Sequence, residues 1–347
     1  MKPKLLLALA AALVALACCA RAQSFSDLAG DERPERMQRL IAGAKKEGGT
    51  LNFYTSIPEK DMAVLAADFD RRYGVKVNLW RASSVKVLQR AAAEARANRW
   101  DFDAAAVSSP EMEAMHRELL LQEVRSGHHA VLSPDAMPAH RAWVPQFLNV
   151  FVQAYNTSLV RKEDLPKSYA ELANRKWKGR LGVEAADSEW YCGVIKHLGE
   201  EKGAKLFRDI VTTAGWSVRS GHSLLANLVA SGEVPLALTV YSYRIEQLKG
   251  AGAPIEWFGI DPVIGRANGV GVSRRPPHPN AALLFYEYLI SDAQPLMVEM
   301  NYLAANTRVA ASLRGVKVRF IDPRMPLEEA DRCAKAFEDL NGGRSAR

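Results

Sequence analysis

GEVPLALTVYSYRIEQLKGAGAPIEWFGIDPVIGRANGVGVS, residues 232–273, packs a strand, a polar turn, a helix and a second strand into one unit. Leu236 to Val240 is a short apolar, partly β-branched run, the pattern of a buried strand. Tyr241, Ser242 and Tyr243 follow it directly, and Arg244 to Lys249 reads as a helix stopped by Gly250. A strand that delivers hydroxyls to the start of a helix brings donors and unpaired helical N–H groups together outside the carboxyl end of a sheet. That is where open α/β sheets bind ligands. The same tyrosines also suit half-buried packing with their hydroxyls in water, so local sequence leaves both readings open.

Upstream, three strands each end in a small hydroxyl residue. Thr50 to Thr55 alternates as a strand with Ser56 at its end, and a helix with Met62, Leu65, Phe69 and Tyr73 inward runs to Gly74. Val75 to Trp80 is the second strand, and Arg81, Ala82, Ser83 and Ser84 form its turn. One of the two serines caps the next helix, whose buried stripe is Val85, Leu88, Ala92 and Ala95, and the other is left for a ligand. Phe102 to Val107 is the third strand, ending at Ser108, Ser109 and Pro110. This is the βαβ rhythm of a parallel sheet. The recurrence marks Thr55, Ser56, Ser83, Ser84 and Ser109 as candidate ligand contacts, with Arg81 available to an anion.

In the middle of the chain, Leu148 to Tyr155 is a long strand and Arg180 to Ala185 another. Ala186, Asp187 and Ser188 then cap a helix carrying Trp190 and Tyr191, which form either an aromatic ligand wall or core packing. His222 opens a helix with no G-x-S-x-G beside it, which suits capping or hydrogen bonding rather than catalysis. His128, His129 and His140 lie among Gly127, Pro134 and Pro138, as on a surface loop. Cys192 and Cys333 are the cysteines outside the leader, and they form one bridge or two free thiols. C-x-x-C and H-E-x-x-H are absent from the sequence, and neither a metal nor a cofactor is expected.

The N-terminus, MKPKLLLALAAALVALACCARAQ, has a basic start, an apolar run and an Ala20-Arg21-Ala22 site, the features of a secretory signal peptide (1–22) cut after Ala22. Cys18 and Cys19 offer lipoprotein processing as an alternative, but the residues before them fit that signal poorly. Residues 23–347 are too many for one ordinary core and suit two lobes. The net charge is +7, with Lys2, Lys4 and Arg21 in the leader, and no basic run interleaved with aromatics suggests nucleic acid.

The run GEVPLALTVYSYRIEQLKGAGAPIEW, followed by DP, GVGV and PHPNAALLFYEYLIS, resembles periplasmic solute-binding proteins of ABC importers, in the ferric-iron, thiamine, phosphonate or sugar-phosphate branch. LNFYTS, WRASS, VFVQAYNTSLV, DLPKSYAELANRKWKGRLGVE and VRSGHSLLANLVASGEV fit the same pattern in order. The resemblance implies a two-lobed α/β fold of the type II periplasmic binding protein kind, with a hinge near the start of the 148–155 strand and a ligand cleft between the lobes. Lobe 1 would comprise 23–150 and 269–330, with the C-terminal part free to return to lobe 2 (151–268), and 341–347 a flexible tail. It implies a monomer that closes on a small-molecule ligand and docks on an ABC permease in the inner membrane. Thr55, Ser56, Arg81, Ser83, Ser84, Ser109, Trp190, Tyr191, Tyr241 and Tyr243 would line the cleft. A sensor for a receptor kinase and a periplasmic enzyme are the other classes, the latter without a local triad or phosphate loop to support it. Iron-binding members that it resembles use two adjacent tyrosines after this strand, commonly with a histidine after the first strand. Here the pair falls on Ser242-Tyr243, Tyr241 lies one position early, and the turn after Tyr54 carries Pro58 and Glu59 but no histidine. An organic or phosphorylated anion is therefore expected in place of ferric iron.

Overall fold

The computed structural model describes residues 24–309, 313, 315–322 and 327–342, so the leader, its cleavage site and residues 343–347 lie outside it. Among the described residues twelve strands form one sheet, eight of them on its main path and β4, β9, β11 and β12 paired at its sides: β1 (Thr50–Thr55), β2 (Lys76–Arg81), β3 (Ala104–Ser108), β4 (Leu121–Gln122), β5 (Val144–Asn156), β6 (Leu181–Glu184), β7 (Ser217–Arg219), β8 (Leu236–Tyr241), β9 (Ile255–Phe258), β10 (Val263–Ser273), β11 (Leu303–Ala304) and β12 (Val318–Phe320). The order is β2-β1-β3-β10-β5-β8-β6-β7. Within each half the pairing is parallel, β2-β1-β3 in one and β8-β6-β7 in the other, because helices cross over between successive strands. The centre is antiparallel, where β10 pairs with β3 and with β5, and β5 pairs with β8.

β5 belongs to both halves. Its residues from Val144 to Val150 pair with β10, and from Phe151 onward it pairs with β8 and β9. All thirteen of its residues are buried, so each polar side chain on it needs a partner inside the protein. Gln153 donates to Leu238 O and accepts from Ile260 N, and Asn156 donates to Val229 O and Ala230 O. The two halves are thus two lobes that share a pair of crossing strands. β10 pairs with β5 from Gly265 to Val270 and with β3 of the first lobe from Asn268 to Val272. A Cβ at Gly269 would lie 2.6 Å from the Trp143 ring, which explains the bare backbone in the GVG run of β10.

The C-terminal helix, Leu327–Leu340, packs on the second lobe, with Phe337 against Tyr191 at 5.6 Å and Cys333 bridged to Cys192. Of the histidines expected on a surface loop, His128 alone is exposed. His129 is buried, with Nε2 2.7 Å from the Tyr286 hydroxyl, and burial pushes its pKa down to about 4. His140 sits 2.9 Å from Glu113 and stacks on His116. The segment around His129 packs on the helix Pro279–Ile290, with Ser126 bonded to Glu287 and His129 to Tyr286, and every residue of that helix from Ala281 to Ile290 is buried.

The bridge joins residues 141 apart and pins the last helix to the second lobe. Closing a loop of that size constrains the unfolded chain, so Cys333→Ser should lower the unfolding free energy by about 2–4 kcal/mol. Urea unfolding of oxidised protein and variant measures it, and equal midpoints would mean that packing alone holds the helix.

Candidate functional site

A cleft cavity of about 430 Å³ lies between the lobes. On the first-lobe side it is lined by Ser56 after β1, Arg81 at the end of β2, Ser83 and Ser84 in the following turn, and Ser108 at the end of β3. The floor is the crossing pair, Phe147 and Asn149 of β5 and Arg266 and Asn268 of β10. Glu184, His222, Tyr241 and Tyr243 line the second-lobe side.

The serines divide their work. Ser83 is the N-cap of the helix Ser84–Arg96, accepting from Lys86 N at 3.4 Å. Ser84 is therefore free of capping and reaches across to Ser108, Oγ to Oγ 3.2 Å. Thr55 is fully buried and committed to its turn, donating to Ala106 O and accepting from Ile57 N. Ser109 is buried in the first turn of its helix and does not reach the cavity. Arg81 is exposed on the cleft wall and makes no ion pair among the described residues.

Trp190 and Tyr191 are not on the cleft wall. Trp190 is wholly buried 5.3 Å from the Phe207 ring, and Tyr191 packs between Phe207 and Phe337. The helix Ser188–Leu198 instead turns Glu189 to the centre, since neighbours on a helix point about 100° apart. Glu189 takes the guanidinium of Arg266, Nη1 to Oε2 2.6 Å, and Arg266 Nη2 donates to the Tyr241 hydroxyl at 2.5 Å.

Tyr241 closes β8 and Tyr243 lies in the first turn of the helix Ser242–Gly250. Tyr241 stacks on His222 at 4.0 Å, and Tyr243 stacks on Tyr302 at 4.2 Å. Burial pushes the Tyr243 phenol up to about 12 and Tyr241 well above its ordinary range. Both are neutral hydroxyls near pH 7.

Beside Tyr241, His222 Nε2 lies 2.9 and 3.1 Å from the two Asp187 oxygens. Glu184 accepts from Gly221 N and Ala186 N, and burial raises its pKa, with Asp187 adding to the effect. The ligating atoms of Glu184, Asp187 and His222 lie within 4.8 Å of one another, close enough for a metal. The carboxylates are, however, already occupied by N–H donors. Asp187 does not cap its helix with its side chain, since that carboxylate holds His222.

Glu111, in the first turn of the helix Ser109–Arg117, also lines the cleft. Burial raises its pKa to about 7 against the lowering charge of Arg266. Sequence reading passed over Glu111, Asn149, Glu184, Arg266 and Asn268. The available signal was a polar residue inside an apolar strand, Asn149 in LNVFV and the Arg266/Asn268 alternation in IGRANGV. A larger cavity of about 710 Å³ lies beside the disulfide, where Lys196 is paired with Glu329. The interlobe cleft, where strand ends from both halves converge, is the candidate site.

The profile of a family described as bacterial extracellular solute-binding protein matches residues 51–297. Iron uptake protein A1 of Synechocystis sp. is 27% identical over 283 residues, 76% of this chain and 77% of that protein. The solved structure of iron-bound HitA from Pseudomonas aeruginosa superposes with a TM-score of 0.73 at 19% identity, covering 84% of this chain and 99% of that one. AfuA from Actinobacillus pleuropneumoniae with fructose-6-phosphate bound gives 0.73 at 20% identity, covering 85% and 99%. These likenesses show the type II periplasmic binding protein fold.

Because the folded pKa of Glu111 is raised by burial, its contribution to stability is complete below the ordinary carboxyl range and is lost as pH rises through about 7. Glu111→Gln should therefore match the wild type near pH 4 and exceed it at pH 8 by roughly 1–3 kcal/mol. Urea unfolding at the two pH values measures this, and a pH-independent difference would refute it.

Proposed function

The chain belongs to the bacterial extracellular solute-binding proteins, and on that premise we propose that it is the periplasmic capture component of an ABC importer whose cargo is a small organic or phosphorylated anion. The observation that carries the anion reading is Arg81. It stands unpaired among the described residues where Ser56, Ser83, Ser84 and Ser108 converge beside the N-terminus of the helix Ser84–Arg96. A guanidinium, hydroxyls and helical N–H groups at one wall suit an oxyanion. Closure of the second lobe over that wall would bury the cargo, and a permease would recognise the closed form.

Ferric iron is the second reading, favoured by what the names of Iron uptake protein A1 and iron-bound HitA say of those proteins, and by two cleft tyrosines. Against it, Ser242 separates Tyr241 from Tyr243, Arg266 already donates to the Tyr241 oxygen, and Tyr243 sits in surroundings that disfavour a phenolate. A cation gains little from a wall that presents the unpaired Arg81 guanidinium.

Calorimetry on protein unfolded, dialysed free of cargo and refolded separates the two, with fructose 6-phosphate, 2-aminoethylphosphonate, inorganic phosphate and ferric citrate as probes. An organic anion should bind, and Arg81→Ala should weaken it by about 10- to 100-fold, the loss expected for a charge-assisted contact. Ferric citrate should leave the protein colourless. A tyrosinate-to-iron absorption band that disappears in Tyr243→Phe would return the assignment to iron.

A further inference from the structure

The cavity of about 710 Å³ beside the disulfide shares no lining residue with the interlobe cleft. Its walls are the helix Ser188–Leu198 with the start of the next helix, the β10/β12 pair, and the C-terminal helix Leu327–Leu340. The C-terminal helix turns one face to it, since Glu329, Arg332, Cys333 and Ala336 recur three and four residues apart. β12 pairs in parallel with β10, and Arg319 stands opposite Ile264 in that register, so the two side chains leave the sheet on one face. On that face Ile264 packs under the helix Ser188–Leu198, where a Cβ at Gly193 would come within 3.1 Å of it. Ile264 and Ile321 are buried, and the Cys192–Cys333 bridge completes the apolar part of the wall.

The charges around this cavity are uneven once partners are assigned. Lys196 and Glu329 pair with each other at 3.4 Å, and Asp322 has a partner of its own. Glu200 lies in the first turn of the helix Glu200–Thr213, where the helix dipole suits a carboxylate. Arg319 and Arg332 make no ion pair among the described residues, and Arg319 Nε is a buried donor without an acceptor. A buried donor left unsatisfied costs free energy, and an oxyanion placed there would remove that cost through a charge-assisted bond. A purely ionic solute would leave the isoleucines and the bridge uncovered. The wall therefore suits a molecule of two parts, an oxyanion for the arginines and a hydrocarbon body for the apolar side.

We propose that this cavity is a second binding site, for a small amphipathic carboxylate whose head group lies at Arg319 and Arg332 and whose hydrocarbon part lies against Ile264, Ile321 and the disulfide. The site is built on the crossing strand but apart from the cleft, because Ile264 is two residues before Arg266 of the cleft floor. It does not depend on what the cleft carries.

The experiment is calorimetry on the oxidised protein with octanoate, octylammonium and acetate as probes. Octanoate should saturate a single class of site, with octylammonium and acetate at least about 10-fold weaker, and Arg319→Ala should weaken octanoate by about 10- to 100-fold. If Arg319→Ala fails to fold, Ala336→Trp at an exposed position of the wall fills the same cavity and should prevent saturation by octanoate. Absence of octanoate binding, octylammonium binding as tightly as octanoate, or octanoate binding unchanged in Arg319→Ala each overturns the site. Acetate binding as tightly as octanoate overturns the amphipathic assignment. Octanoate binding that is lost in Arg81→Ala and kept in Arg319→Ala places the probe in the interlobe cleft and overturns the second site as well.

Discussion

The antiparallel pairing of β5 with β10 is the constraint on which the rest depends, because these two strands are the floor of the cleft and the connection between its walls. A strand buried along its whole length must either be apolar or pay for each polar group with a partner. Gln153, Asn156 and Arg266 have such partners, and these side chains tie the lobes together. Gln153 and Asn156 tie β5 into the second lobe through backbone groups. Arg266 ties β10 to it through Glu189 and the Tyr241 hydroxyl, with its guanidinium 5.2 Å over the Phe151 ring. A buried ion pair of this kind adds little net stability, yet removing one partner leaves the other charge stranded. It therefore acts on geometry more than on affinity between lobes.

The two walls differ in chemistry, and each follows from its local fold. In the first lobe, parallel strands end in serines at helix N-termini, so the wall offers hydroxyls, N–H groups and Arg81. In the second lobe, Glu184 ends β6 and Asp187 begins the next helix, while His222 arrives from the helix after β7. That wall carries carboxylates, an imidazole and phenols.

Periodicity exposed the strands and helices, because alternation and the 3.6 repeat are local properties of the chain. The serines at the ends of β1, β2 and β3 were legible for the same reason. What sequence could not supply was rotation and distance. Trp190 and Tyr191 sit one and two positions from Glu189, and those steps decide between cleft and core once the helix is laid on the sheet. Asp187 and His222 are 35 residues apart, and Cys192 and Cys333 are 141 apart, separations at which no local pattern records contact. Asn149, Arg266 and Asn268 did carry a signal, polar residues in strands too apolar to be exposed. It is readable only with the knowledge that both faces of those strands are covered.

The fate of the tyrosines follows from where β8 ends. Tyr241 keeps strand geometry, with φ −86° and ψ 132°, and the helix starts at Ser242, so the rings of Tyr241 and Tyr243 come out nearly parallel, 17° apart, with centroids separated by 5.9 Å. Parallel rings stack rather than converge their hydroxyls on a point. The stack continues on both sides, to His222 within the second lobe and to Tyr302, whose hydroxyl donates to Asp61 in the first. Gln247, one turn along the same helix, crosses as well and donates to Met300 O. The aromatic column is thus a joint between lobes at the edge of the cleft. Two tyrosines aimed at a metal would have to leave the column, giving up ring contacts on both sides, before their oxygens could meet. Their place in the joint suits a cargo that is held by the floor and walls and touches the column only at its rim.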